Sequence, residues 1–181
     1  MERDIERFMT RARSAVAHGA GAAARDEIGG LLRGLGNSRE ISLDSVKGGL
    51  HGTTTASAVL ARDPSGLTLM LTRFPEEAPT PVHDHKTWGV ALVLRGTDRH
   101  VHWRRLDTGA EPGRAQVVID DDRVLHEGEF VHWDVPPHDI HSQQGLGGPA
   151  YELVCFGRDP MVVLRNYFDP ERATVREEMP R

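Results

Sequence analysis

Cysteine is almost missing from this chain of 181 residues, in which Cys155 is the only one. A single cysteine excludes a disulfide within the chain, and disulfide-dependent folds belong to oxidising compartments. We therefore expect the protein to be cytoplasmic. Long apolar stretches are missing too, since none approaches the roughly 18–20 residues that a membrane span needs. The charged amino-terminal segment also lacks the apolar centre of a secretion signal.

Clustered positive charge is the second thing the sequence lacks. Lys and Arg number 22 against 27 Asp and Glu, a formal net charge of −5, and no basic block is longer than Arg104-Arg105. Phosphate backbones and anionic membranes are bound by grouped Lys and Arg. We expect neither nucleic acid nor a membrane as a partner, which leaves a small molecule. The sequence has no apolar stripe that marks a subunit interface, so it does not distinguish a monomer from a homodimer.

The hydrophobic pattern predicts one domain spanning residues 1–181, with two α-helices in residues 1–37. Apolar residues recur there at helical spacing, and Gly36-Asn37 supplies a stop. The apolar positions are Ile5, Phe8, Met9, Ala12, Val16, Ile28, Leu31, Leu32 and Leu35.

From about residue 50 to residue 168 the apolar period changes to two, and short strands alternate with turn residues, as in an all-β sandwich or barrel. The expected strands are Thr53 to Ala61, Leu67 to Phe74, Gly89 to Leu94, His100 to Leu106, Ala115 to Ile119, Glu129 to Asp134, Ile140 to Ser142 and Ala150 to Phe156. The acidic run Asp120–Asp122 reads as a solvated turn. Residues 169–181 read as a tail, with Glu171 to Glu178 as a charged helical turn.

Histidine is abundant, and every one of the ten except His18 lies between His51 and His141. His83 and His85 are two apart in an apolar run, so a strand would place both imidazoles on one face. His141 follows Pro136-Pro137 and heads a later strand. Three such imidazoles can converge on one metal ion with bonds of roughly 2.0–2.2 Å. An HxH pair with one distant His in a β region is typical of a metal-binding cupin, a single double-stranded β-helix (jelly-roll) barrel.

No Asp or Glu occurs from Lys86 to Gly96, where many cupins carry an acidic fourth ligand. The expected ligands are therefore three neutral imidazoles with positions left open. Such a set suits Fe(II), and equally Zn, Ni or Mn, so the ligands alone do not choose the metal. A second HxH pair, His100 and His102, is interpreted as a solvated or structural strand face.

These residues resemble a known family. The stretch His83-Asp84-His85-Lys86-Thr87-Trp88-Gly89 with Val93-Leu94-Arg95-Gly96 is similar to a motif of bacterial cysteine dioxygenase-type enzymes. Pro136-Pro137-x-x-Ile140-His141-Ser142 resembles their second motif. The resemblance implies a thiol dioxygenase-like cupin in which His83, His85 and His141 hold Fe(II), and in which O2 and a small thiol react to give a sulfinic acid.

The sequence departs from that family at its substrate pocket. Glu152, Val154 and Phe156 stand where the resemblance implies a Ser-x-His-x-Tyr set, and no Arg lies on the first strand. Arg73 or Arg165 could supply the missing carboxylate-binding group.

Glu152, if it points inward, could act as a general base near the metal or bind a substrate amine, although a solvated Glu paired with an Arg is the simpler interpretation. Trp88, Tyr151 and Phe156 are candidate substrate-binding residues. Three functions remain open: an Fe(II) dioxygenase acting on a sulfur-containing metabolite, a metal-dependent isomerase, lyase or hydrolase without O2 chemistry, and a non-catalytic small-molecule binding protein.

Overall fold

A computed structural model describes residues 3–46 and 55–180. Two helices, α1 (Asp4–Ala15) and α2 (Ala22–Leu35), open the chain and confirm the prediction from helical spacing; a short 3-10 turn, Leu43–Val46, follows. Within residues 55–180 there are eleven strands: β1 (Ala56–Arg62), β2 (Thr68–Phe74), β3 (Val82–His83), β4 (Gly89–Arg95), β5 (Thr97–Arg105), β6 (Val117–His126), β7 (Phe130–Trp133), β8 (His141–Gly145), β9 (Ala150–Phe156), β10 (Arg165–Asp169) and β11 (Thr174–Glu178). The predicted strand start at Thr53 lies outside the described residues.

The strands form two antiparallel sheets. One has the order β1-β2-β9-β4-β7 and the other the order β11-β10-β3-β8-β5-β6. Every named strand pair is antiparallel, which agrees with the expected all-β architecture. Sequence neighbours such as β8 and β9 lie in different sheets, so the chain repeatedly crosses between the layers.

The central strands of the first sheet are buried on both faces. Alternate side chains of a strand point to opposite sides, so one set packs under α1 and α2 and the other faces the second sheet. The outer set includes Leu69, Leu71, Val90, Leu92, Leu153 and Cys155, against Phe8, Met9, Ala12, Ile28, Leu32 and Leu35 of the helices. The inner set includes Met70, Ala91, Val93, Val131, Trp133, Val154 and Phe156. Double burial explains why these strands read as continuous apolar runs.

Two expectations from the sequence are wrong. The segment Glu171 to Glu178 is not helical, because β10 and β11 form a hairpin whose first strand pairs with β3. The acidic run Asp120–Asp122 is not a turn but lies in the middle of β6, an edge strand. Its carboxylates form ion pairs with Arg104, Arg123 and Arg99 on the exposed side. Charged side chains on an edge strand also discourage pairing with other chains.

Candidate metal centre

Three histidines meet where β3 pairs with its neighbours. His83 is opposite His141 of β8 on one side and opposite Tyr167 of β10 on the other. His85 comes two residues later and points to the same side. The Nε2 atom of His85 lies 3.2 Å from Nε2 of His83 and 3.0 Å from Nε2 of His141. All three rings are buried. The convergence that the HxH spacing predicted is therefore present.

The protonation of these rings suits a metal. His83 Nδ1 lies 2.8 Å from the carbonyl oxygen of Pro81, so this nitrogen donates a proton and leaves the lone pair on Nε2. Burial, with a smaller contribution from Arg165, lowers the pKa of His83 to about 4. Burial also lowers the pKa values of His85 and His141 well below the usual value, with neighbouring imidazoles adding to the effect. At neutral pH the three ligands are uncharged.

The geometry fits a divalent cation. Two ligands with bonds of about 2.1 Å lie roughly 3.0–3.4 Å apart around a tetrahedral or octahedral ion. The two Nε2 separations fall in that range. One proton on His85 Nε2 could serve one of its two short contacts, whereas a cation satisfies all three nitrogens. No carboxylate belongs to this group in the described parts of the chain.

Two buried carboxylates fix the backbone around His85. Asp139 Oδ2 accepts hydrogen bonds from the backbone N–H groups of His85 (3.1 Å) and Lys86 (2.7 Å). Asp84 accepts two from Asn166, at 2.9 and 2.7 Å, and pairs with Lys86 Nζ at 3.0 Å. Asp84, between the two histidines, is thus a structural hydrogen-bond acceptor. Because β3 is so short, these side-chain hydrogen bonds hold the backbone of the histidine ligands in place.

An aromatic wall supports the rings from the first sheet. Trp133 stacks on His85 at 5.8 Å between centroids and meets His141 edge-on at 4.6 Å. Its Nε1 donates to the carbonyl of Thr87, and its ring lies against Gly89, where a Cβ atom would come within 2.2 Å. Phe156 lies 4.8 Å from His85. The apolar contacts exclude water from one side of the centre.

A cavity of about 500 Å³ opens beside His83 and His85. Its wall is apolar near Trp133 and polar elsewhere. The polar lining residues are Thr55, Ser57, Thr72, Thr80, Gln143, Arg165, Tyr167, Arg176 and Glu178. A small metabolite would fit between the histidines and these groups.

Of the two predicted arginines, Arg165 reaches the cavity. Its guanidinium donates from Nε and Nη2 to the carbonyl of Pro160, at 3.3 and 3.2 Å, and burial lowers its pKa. Arg73 is buried on β2 opposite Tyr151 and is not among the described lining residues. Of the two predicted arginines, the structure therefore brings Arg165 and not Arg73 to the site.

Glu152 points inward and is fully buried, which excludes the solvated interpretation. Its Oε2 accepts a 2.7 Å hydrogen bond from Gln143 Nε2. Burial, followed by the charge of Asp98, raises the pKa of Glu152 well above the usual value. Glu152 does not itself line the cavity, but Gln143 does. Gln143 and Asp98 were missed in the sequence because an amide and a lone Asp give no spacing signal.

The three predicted substrate-binding aromatics separate into two groups. Phe156 lines the cavity beside His85. Trp88 packs against Gly157, and Trp88 and Tyr151 both pack on the outer core under the helices. Neither is among the described residues of the cavity wall. Phe156 and Tyr151 are an odd number of residues apart on β9, so their side chains point to opposite faces of the strand. The sequence pattern alone does not show which of the two faces points inward.

The second HxH pair, interpreted as a solvated or structural strand face, is not solvated, which leaves the structural alternative. His100 is 2% exposed and His102 is partly buried, and both face the interior from β5, with His102 opposite His141. Burial lowers the pKa values of both. The pairing of β5 with β8 brings them behind the first three histidines.

No family model matches the sequence, and no curated protein matches it significantly. Solved structures resemble its fold at low identity. A cupin superfamily protein from Desulfitobacterium hafniense is 16% identical, with a TM-score of 0.44 over 71% of this chain and 88% of that one. Oxalate oxidase in complex with glycolate is 20% identical, with a TM-score of 0.49 over 65% of this chain and 58% of that one.

A DMSP lyase from Ruegeria pomeroyi is 17% identical, with a TM-score of 0.45 over 72% of this chain and 60% of that one. This chain thus spans about 60% of the length of both enzymes. None of the described helices has both the length and the apolar character that a membrane span requires. Because the similarities to solved structures are weak, the three-histidine centre is assigned from its own geometry. It is a candidate metal site in a two-sheet, all-β fold.

Proposed function

We propose that the protein is a mononuclear Fe(II)-dependent dioxygenase of cupin architecture that oxidises a small, anionic, sulfur-containing metabolite. The observation that carries the proposal is the convergence of three neutral Nε2 atoms beside a cavity, with no carboxylate in the group. Neutral ligands leave the full charge of a dication in place, which favours an anionic thiolate. When bound, Fe(II) supplies the redox chemistry that adds both atoms of O2 to a thiol, converting RSH to RSO2H.

The side chains around the centre bind and orient the substrate. Arg165 lines the same cavity as His83 and His85, and its guanidinium suits a carboxylate. Trp133 and Phe156 cover the other side and exclude water. Exclusion of water strengthens the attraction between the dication and the anionic substrate.

Gln143 is proposed to accept a hydrogen bond from the substrate. Its amide nitrogen is turned towards Glu152, at 2.7 Å, and Asp98, at 3.5 Å. Two acidic partners on the nitrogen side fix the orientation of the amide. The amide oxygen is then available to an ammonium or hydroxyl group of the substrate.

The test is metal analysis of protein purified without added metal, followed by O2-uptake assays with a panel of small thiols. We expect close to one iron per chain at the three-histidine centre and uptake that requires a thiol. His85→Ala should lose both the iron and the uptake. His126→Ala, which removes an exposed histidine of β6, is the matched control and should keep both.

Each alternative result of the metal analysis and the O2-uptake assays would indicate a different function. Uptake with an organic substrate that is not a thiol would overturn the thiol part and keep the oxygenase. Turnover under strict anaerobiosis with Zn, Ni or Mn would replace the proposal by Lewis-acid chemistry, as in an isomerase, lyase or hydrolase. Ligand binding without turnover under either condition would identify a binding protein.

A further inference from the structure

We propose that a second divalent cation binds behind the first centre, between His100, His102 and His141, with His141 shared between the two ions. Each of the three rings offers a nitrogen within 4.8 Å of a nitrogen on the other two. This site goes beyond the proposed function, which needs only one metal.

Unpartnered nitrogens mark the site. His100 has both ring nitrogens buried without a hydrogen-bond partner, and its side chain is 1% exposed. His102 Nε2 and His141 Nδ1 are also buried and unpartnered. A buried polar atom without a hydrogen-bond partner costs about 1–3 kcal/mol. Four such nitrogen atoms in one place therefore indicate that a ligand binds between them. A cation bound by the facing nitrogens satisfies several of them together.

His141 has one nitrogen for each ion. Binding both ions would release the remaining ring proton of His141 to solvent and leave a bridging imidazolate. Its Nε2 faces His85 at 3.0 Å and belongs to the first centre. Its Nδ1 is on the other side of the ring and is the unpartnered atom. The ring centroid of His141 lies 5.0 Å from that of His100 and 6.5 Å from that of His102, and those two are 4.8 Å apart. The rings of the first centre are separated by 4.7–4.9 Å. Two separations in the second group are similar, and the longer one between His102 and His141 makes that group more open.

Asp98 lies near His100. Its Oδ2 atom lies 3.7 Å from His100 Nδ1, too far for a hydrogen bond, so both ring nitrogens of His100 are without a partner. A carboxylate in this position can hold Nδ1 once Nε2 binds a metal. Side chains alternate between the two faces of a strand, so Asp98, His100 and His102 share the inner face of β5.

The expected occupant is a borderline cation of the Zn(II) class, because all three donors are imidazoles. Its role would be structural, since His100, His102 and His141 are not among the described residues of the cavity wall. An ion there would hold the His141 ring from behind and keep its Nε2 aimed at the first centre.

The test is the Zn(II) stoichiometry of chelator-stripped protein reloaded with Zn(II) and freed of excess metal by gel filtration. We expect two ions per chain in the wild type, one in His102→Ala and one in His83→Ala. His126→Ala controls for adventitious binding to exposed histidines and should keep two. Anomalous diffraction at the zinc edge should show two peaks, one on each side of the His141 ring.

The outcomes separate the two sites. One ion in the wild type that persists in His102→Ala and disappears in His83→Ala would overturn the second site and leave the first intact. One ion that disappears in His102→Ala and persists in His83→Ala would support the second site and overturn the first. Thermal unfolding of each variant checks that the fold is kept, and His100→Gln provides an independent variant of the second site with the same expected loss of one ion.

Discussion

At the scale of single residues, Glu152 illustrates how burial changes the chemistry of a side chain. The carboxyl is fully buried next to Asp98, and its raised pKa keeps it protonated in the folded protein. In the unfolded chain it releases its proton near pH 4.5. Folding therefore becomes less favourable as the pH rises above that value, because only the unfolded state gives up the proton.

Glu152→Gln should remove this pH dependence. The amide is neutral, has the same shape and can still accept the hydrogen bond from Gln143. We expect similar stability for variant and wild type near pH 4.5, with the variant gaining up to about 1.4 kcal/mol per pH unit above it. Urea unfolding at pH 5, 6.5 and 8 measures the difference. Parallel stability curves would contradict a protonated Glu152.

Arg165 gives a prediction about substrate choice. Arg165→Met should lower kcat/KM for carboxylate-bearing thiols by about 10–100-fold, because a charge-assisted hydrogen bond contributes about 1.5–3 kcal/mol. Uncharged thiols should be affected little. Arg176→Met, at another part of the cavity wall and paired with Glu178, is the matched control. Equal losses for charged and uncharged thiols would rule out Arg165 as the carboxylate group.

At the scale of elements, the close approach of β4 to β7 positions the metal ligands. Gly89 of β4 is opposite Trp133 of β7, and the indole occupies the space where a side chain at 89 would lie. Because Trp133 stacks on His85, the packing of these strands is transmitted to the metal centre.

Gly89→Ala should displace the Trp133 ring and lower the free energy of unfolding by about 1–3 kcal/mol, as overpacking does. The metal affinity should fall with it. Gly30→Ala is the matched control: this glycine is exposed on α2 with no atom within 4 Å of the added Cβ. There alanine should stabilise the helix by about 1 kcal/mol. Chemical unfolding of both variants measures these changes. An unchanged free energy of unfolding for Gly89→Ala would contradict the packing argument.

The elements also show what a sequence can predict. Helical spacing located α1 and α2, and the HxH spacing identified His83 and His85, because both patterns are local. His141 was predicted from a separate signal, its position after Pro136-Pro137 at the start of a later strand. The hairpin β10–β11 was missed because its strands are polar and are stabilised by pairing with β3, a contact between distant residues. The interior position of His100 and the contact between Glu152 and Gln143 depend on which face of a strand is buried, which a short strand does not reveal.

At the scale of the whole molecule, the interior collects ionisable groups whose pKa values are shifted towards the uncharged form. Five interior histidines have lowered pKa values, and His83 titrates at about 4. Three carboxyls have raised values, namely Asp98 at about 7, Asp139 at about 6 and Glu152 well above normal. The histidines outnumber the carboxyls, so the histidines determine whether the free energy of unfolding rises or falls with pH in the mildly acidic range.

The metal-free protein should therefore lose stability as the pH falls from about 6.5 to 4. The unfolded chain binds protons on its histidines near pH 6.5, whereas the folded chain does so only at lower pH. Each unopposed histidine contributes up to about 1.4 kcal/mol per pH unit. Melting temperatures of chelated protein at pH 7.5, 6 and 5 test this, and addition of metal should raise the melting temperature at pH 7.5. A constant melting temperature would contradict the expectation.

The last strand has a practical consequence for recombinant work. Arg176, Glu178 and Pro180 are part of the cavity wall. A purification tag fused after Arg181 would begin one residue beyond that wall. A polyhistidine tag in that place would bring extra imidazoles to the mouth of the site and compete for added metal. Preparations intended for metal counting should carry their tag at the other terminus, or none.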